Sequence, residues 1–173
     1  LDETDEILVK GPNITPGYWN NPIVTKESFI DGWYKTGDLG DIDSDGDIYI
    51  KGRKKDMIVL SNGQNVYPED IENILNLEPG VDSSVILGIT KEDSVTVHAV
   101  VISENPENIS KAVESANINL AEHQKIRDYT IWEEEDFPRT HTLKIKKNLV
   151  AEQIQNKKSS DTDKKTPQAE PSN

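Results

Sequence analysis

A carboxylate on a glycine-flanked turn, an arginine a little further on and a lysine far downstream can together hold one phosphorylated sugar from several sides. The carboxylate is Asp38, within Tyr34-Lys35-Thr36-Gly37-Asp38-Leu39-Gly40. It can accept hydrogen bonds from two vicinal hydroxyls, as a ribose offers. The arginine is Arg53, within Gly52-Arg53-Lys54-Lys55-Asp56. Its planar fork and permanent charge suit ribose oxygens or phosphate. The lysine is Lys144, at the end of Phe137-Pro138-Arg139-Thr140-His141-Thr142-Leu143-Lys144. Each feature alone is weak, because an Asp beside Gly is usually a turn former and a lone Arg or Lys is usually solvated. Their order along the chain is the signal.

The elements that must position these residues fall into two parts. Residues 1–52 read as β-rich, with a short strand at Ile7-Leu8-Val9 and an aromatic, turn-rich segment from Gly17 to Pro22. Asp41 to Ile50 reads as strand, Asp-Gly hairpin and strand. Met57-Ile58-Val59-Leu60 follows as a buried strand, and Ser61-Asn62-Gly63-Gln64-Asn65 as a loop whose glycine admits a positive φ. Pro68 opens a helix with Glu69 and Asp70 at its positive end, and Pro79-Gly80 stops it. Beyond it come strands over 81–89 and 95–102, a helix over 106–122, a strand over 129–132 and a helix over 143–154. The second half is therefore β-α-β-β-α-β-α, a small α+β unit whose sheet is packed by helices. The first half is too small to be stable by itself. The polar stretch 157–173 reads as disordered.

Composition narrows the function. The chain has 173 residues, 34% hydrophobic and 29% charged, with a formal net charge of −13. That balance argues against non-specific nucleic-acid binding and against an anionic membrane surface. The absence of cysteine removes disulfides, thiolate metal sites and a cysteine nucleophile. No apolar run is long enough to cross a bilayer and no leader opens the sequence, so a cytoplasmic location is the default. His98, His123 and His141 lack metal-ligand spacing, and His98 in an apolar strand reads as structural. Trp19, Trp33 and Trp132 read as packing residues, and Glu133 to Asp136 as a solvated turn. Leu rather than Met stands first, and the opening reads as a strand entering a turn, so we take the sequence as part of a longer protein.

With Gly11-Pro12-Asn13, Gly17-Tyr18-Trp19, the three blocks above, and Ser61 to Glu72, the sequence resembles the C-terminal third of the adenylate-forming enzymes over residues 5–150. That superfamily includes acyl-CoA synthetases, peptide-synthetase adenylation domains and beetle luciferases, and the wording here is similar to fatty acyl-CoA ligases. The resemblance implies a two-step reaction. A carboxylate attacks the α-phosphorus of ATP to give an acyl-adenylate and pyrophosphate, and the thiol of CoA then displaces AMP. Such chemistry depends on preorganised cations and alignment.

By the same resemblance Asp38 and Arg53 bind nucleotide, Lys144 is the catalytic lysine of adenylation, and Lys55 is the hinge on which a small domain swivels. Ser61, Gly63 and Gln64 belong to a loop lining the CoA thiol path. The implied organisation is residues 1–54 as the β-rich end of a large AMP-binding domain, 55–150 as a mobile C-terminal domain, and 151–173 as helix end and disordered tail. Implied cofactors are ATP, CoA and Mg2+, the magnesium ligand lying outside these residues. Implied partners are a carboxylic acid, taken as a fatty acid, and the missing N-terminal domain. The phosphate loop and acyl pocket are not in this sequence, so it is expected to be inactive alone. Two departures stand out: Leu143 occupies a position that is usually Gly, and Asn62-Gly63-Gln64-Asn65 replaces Gly-Gly-Glu-Asn. A fatty acyl-AMP ligase that loads a carrier protein, and a stand-alone non-catalytic partner-binding domain, are the alternative readings.

Overall fold

The computed structural model describes residues 1–91 and 93–163. The first part is an antiparallel sheet of β1 (Glu6–Val9), β2 (Phe29–Ile30), β3 (Trp33–Ile42) and β4 (Ile48–Arg53), with β3 pairing to all the others. The β3–β4 connection is the Asp-Gly hairpin read from sequence. The Asp43 carboxylate accepts the N–H groups of Asp45 and Asp47 at 3.0 and 2.9 Å, and Gly46 takes φ +90°. The turn-rich segment gives way to a helix, α1 (Pro22–Ser28). Asn21 caps it by accepting the Val24 N–H at 3.1 Å, and Pro22 begins it with a preset φ. Few side chains of this part are buried, Glu6, Ile7 and Leu39 among them, while Ile48, Tyr49 and Ile50 are exposed.

The second part opens with a two-stranded ribbon, β5 (Ile58–Val59) and β6 (Asn65–Val66), and continues into α2 (Pro68–Leu75). Strands β7 (Ser83–Lys91) and β8 (Ser94–Ile102) form a long antiparallel pair. Helix α3 (Ile109–Ile118) then crosses over to β9 (Asp128–Ile131), which lies parallel to β8. The sheet is covered on both faces. Ile86, Val97, Ala99 and Val101 meet Ile71 and Leu75 of α2 and Ile109, Val113 and Ala116 of α3. Val85, Leu87 and Val100 point the other way onto Trp132, Phe137 and the final helix α4 (Lys147–Asp163) through Val150 and Ile154. Alternation along the strands sends successive side chains to opposite faces, and both faces are apolar, which is why β7 and β8 read as nearly unbroken hydrophobic runs.

Three expectations need correction. The final helix starts at Lys147, not at residue 143, because 139–145 fold back as a hairpin closed by an Arg139–Ile145 bridge. It runs on through Asp163, so 157–163 are helical, and 164–173 of the expected disordered tail lie outside the described residues. Of the three tryptophans only Trp132 is buried, against Phe137; Trp33 is exposed and Trp19 is 92% exposed. Among the described residues no helix is long and apolar enough to cross a membrane.

Candidate functional site

The β3–β4 register sets Asp38 directly opposite Arg53. The Arg53 Nη1 donates to Asp38 Oδ1 at 2.6 Å. That hydrogen bond pushes the guanidinium pKa up. Both side chains stay partly open to solvent, so the pair itself is worth only about 0–1 kcal/mol and can exchange partners for a ligand.

The turn that carries Asp38 is held far more firmly. Gly37 has φ +75°, and a Cβ built there would meet no atom within 4 Å, so it is the backbone conformation and not space that calls for glycine. Its N–H donates to Glu6 Oε1 at 2.9 Å, and its carbonyl accepts the Lys54 N–H at 2.8 Å. The other Glu6 oxygen accepts Lys54 Nζ at 2.9 Å, and that amine also donates to Thr4 Oγ1 at 2.8 Å. Thr36 Oγ1 donates to the Ile7 carbonyl at 2.8 Å and accepts the Asp38 N–H at 3.0 Å. Glu6, 4% exposed, is the centre of this clamp. Sequence reasoning missed it. The only trace was a carboxylate at the head of an apolar strand, where a buried charge must find a partner.

Lys144 reaches the same place from the far end of the chain. A cleft of about 820 Å³ is lined by Asp38, Arg53, Lys55 and Lys144, with Glu69 and Glu72 on its α2 side. The lining holds five basic and four acidic side chains, a slight positive excess within a chain of net charge −13. The hairpin bearing Lys144 is tied down on its α4 side. Lys147 Nζ donates to both oxygens of Glu72, at 2.8 and 3.0 Å, and Glu72 also accepts the Ile86 N–H at 2.8 Å. Lys55 lies in the turn after β4, where the Asp56 and Met57 N–H groups both donate to the Arg53 carbonyl at 3.1 Å.

The 61–65 loop is not part of this cleft. It joins β5 to β6, with Gly63 at φ +81° and Gly63 N–H donating to the Leu60 carbonyl at 2.8 Å. Ser61 Oγ accepts the Val95 N–H at 2.9 Å, and Asn62 Nδ2 donates to Gln64 Oε1 at 2.7 Å. Ser61 and Gln64 line a second groove of about 390 Å³ together with β8 and residues 122–127. The structure therefore gathers Asp38, Arg53, Lys55 and Lys144, and keeps Ser61, Gly63 and Gln64 elsewhere. His98 is buried, with Nε2 2.9 Å from Thr130 Oγ1, and His141 is exposed on the Lys144 hairpin. Among the described residues no three or more His, Cys, Asp or Glu side chains are grouped to hold a metal ion.

Known proteins resemble this chain over most of its length. Over 159 residues the chain is 38% identical to the 2-succinylbenzoate–CoA ligase of Listeria innocua, covering 90% of this chain and 33% of that one. Over 150 residues it is 37% identical to a long-chain-fatty-acid–CoA ligase of Mycobacterium tuberculosis, covering 86% and 29%. The chain thus spans about a third of the length of these curated relatives. Among solved structures, ATP-bound MatB from Rhodopseudomonas palustris matches with a TM-score of 0.75 at 36% identity, over 86% of this chain and 30% of that one. The o-succinylbenzoate CoA synthetase of Bacillus subtilis, in complex with its acyl-adenylate intermediate, matches with a TM-score of 0.77 at 29% identity, over 84% and 30%. A family model, the AMP-binding enzyme C-terminal domain, matches residues 55–159, and this chain belongs to that family.

Proposed function

We propose that this chain is the C-terminal part of an ATP-dependent, AMP-forming acid–thiol ligase. The observation that carries the proposal is the convergence of Asp38, Arg53 and Lys144 on one cleft from three separate stretches of sequence. In this reading Asp38 accepts the ribose hydroxyls and Arg53 donates to ribose or phosphate oxygens. The Lys144 amine meets the negative charge that develops as a carboxylate oxygen bonds to the α-phosphorus and pyrophosphate leaves. Magnesium, the acyl pocket and the triphosphate loop are assigned to residues outside this chain, so the chain alone is proposed to be inactive. Residues 1–54 are proposed to be the edge of the large domain and 55–150 the mobile unit, with Lys55 at the hinge. The Lys144 cleft and the groove lined by Ser61 and Gln64 share no lining residue, which supports alternation, in which one face serves adenylation and the other receives CoA.

The acid is proposed to be a fatty acid. Fatty-acid ligases stand among the relatives, beside ligases named for 2-succinylbenzoate, so the test must include both kinds of substrate. The intact enzyme should catalyse acid-dependent ATP–pyrophosphate exchange and release AMP when CoA is added. Asp38→Ala or Arg53→Ala should raise the KM for ATP. Exchange by the 173-residue chain alone, or exchange that needs no acid, would overturn the assignment.

A further inference from the structure

The residue before Lys144 sits in a conformation that its side chain disfavours. Leu143 has φ +64° and is 74% exposed. In the left-handed region its Cβ crowds the backbone, and an exposed side chain gains no packing to offset that strain. Something else must hold it there. Its N–H donates to the Thr140 carbonyl at 2.9 Å, and the Thr140 N–H donates to the Lys144 carbonyl at 2.8 Å. Its own carbonyl accepts Arg139 Nη1 at 3.0 Å.

Arg139 is not free to wander. Its Nε donates to Asp136 Oδ2 at 2.7 Å and its Nη2 to Asp136 Oδ1 at 2.8 Å, a two-pronged pair that fixes the guanidinium plane. Asp136 is fixed in turn. Its Oδ1 accepts the Phe137 N–H at 2.8 Å, and its carbonyl accepts the Trp132 indole N–H at 3.1 Å. Trp132 and Phe137 are buried against the sheet. A continuous path of contacts thus runs from the core through Asp136 and Arg139 to the peptide that precedes Lys144.

We propose that Asp136 and Arg139 are positioning residues for Lys144, the guanidinium holding Leu143 left-handed so that the lysine is presented to the cleft. This deepens the function proposed above, and its enzymatic consequence rests on that reading. All three nitrogens of the fork are used at once, two on the carboxylate and one on the carbonyl. A lysine, with one compact charge, cannot reproduce that planar arrangement. The Glu133 to Asp136 run is therefore more than a solvated turn, since its last member anchors the lysine hairpin.

The test has two arms. In the 173-residue chain, the backbone scalar coupling of Leu143 is read by NMR in the parent sequence and in Arg139→Ala and Asp136→Asn variants. The coupling is expected to move from its left-handed value toward the extended range in both. A Leu143 that remains left-handed in both variants overturns the proposal. In the intact enzyme, Arg139→Ala is expected to slow adenylation roughly tenfold in kcat, with KM for ATP nearly unchanged and little effect on thioester formation from preformed acyl-adenylate. In a Leu143→Gly background the same change is expected to slow adenylation less than about threefold, because glycine needs no brace to hold a positive φ. An equal loss in both backgrounds, or equal losses in both half-reactions, also overturns it. If the parent enzyme shows no exchange at all, the proposed function fails, while the coupling measurement still decides whether the brace exists.

Discussion

The Asp38 turn and the Lys144 hairpin each present one charged side chain to the same cleft, and each depends on a positive-φ residue just before it. They are built in opposite ways. At Asp38 that residue is Gly37, which takes the conformation without strain, and the clamp is a buried carboxylate that fills both of its oxygens. At Lys144 it is Leu143, strained and exposed, and the clamp is the exposed pair Asp136–Arg139. The first clamp is held by burial, whereas the second, partly exposed, is held by the anchoring of Asp136 to Trp132 and the Phe137 peptide. The contrast suits the proposed reaction, in which the ribose site stays occupied through both steps while the lysine must arrive and withdraw.

The largest effect that can break this contrast is catalytic. Lys144→Ala in the intact enzyme should lower ATP–pyrophosphate exchange by roughly a hundredfold or more, because in the proposed reaction it removes the charge that meets the transition state. An unchanged exchange rate would strip the hairpin of its role. Next comes the Asp38 clamp. Glu6→Ala leaves the Gly37 N–H and the Lys54 amine without their shared partner, and should destabilise the chain by about 2 kcal/mol in urea unfolding. The figure is held to the lower end because Lys54 can turn to water.

Smaller effects sharpen the comparison. Gly37→Ala should destabilise by about 1 kcal/mol, since alanine resists φ +75°. Leu143→Gly should be close to neutral, its relief of strain offset by the added freedom of the unfolded chain. Equal losses at the two positions would mean that Leu143 is not strained. The smallest effect is in pH. The hydrogen bond from Arg139 holds the Asp136 carboxyl below its usual range. A carboxyl lowered in the folded state favours that state above its unfolded pKa, and the contribution disappears as pH falls through the folded value. The Arg139 Nε–H resonance should therefore survive acidification through about pH 4 and fade only below it. Loss of that signal nearer neutrality would count against the pair.

Some of this was legible in the residues and some was not. The β3–β4 hairpin, α2, the β7–β8 pair and the β9 strand follow from Asp-Gly, Pro68 and short apolar runs, all local signals. Helix α1 was missed because seven residues give too little periodicity, although Asn21-Pro22 marked its start. The final helix was started too early because Leu143, Lys144 and Ile145 extend its mixed apolar and basic pattern back into the hairpin, and nothing in a leucine announces a left-handed turn. Trp19 and Trp33 were taken as packing residues from their type alone, yet among the described residues they stand 92% and 43% exposed.

The amino-acid sequence determined which charged groups exist and roughly which elements carry them, because turn chemistry and apolar period act over a few residues. Only the tertiary structure decided that Asp38, Arg53 and Lys144 share a cleft, that Glu6 and Lys54 grip the Gly37 peptide, and that Asp136 and Arg139 brace Leu143. These are meetings of side chains and peptides across strand register, helix packing and a folded-back hairpin. Hydrogen bonds and ion pairs of that kind depend on distances of about 3 Å, which no spacing along a chain can fix.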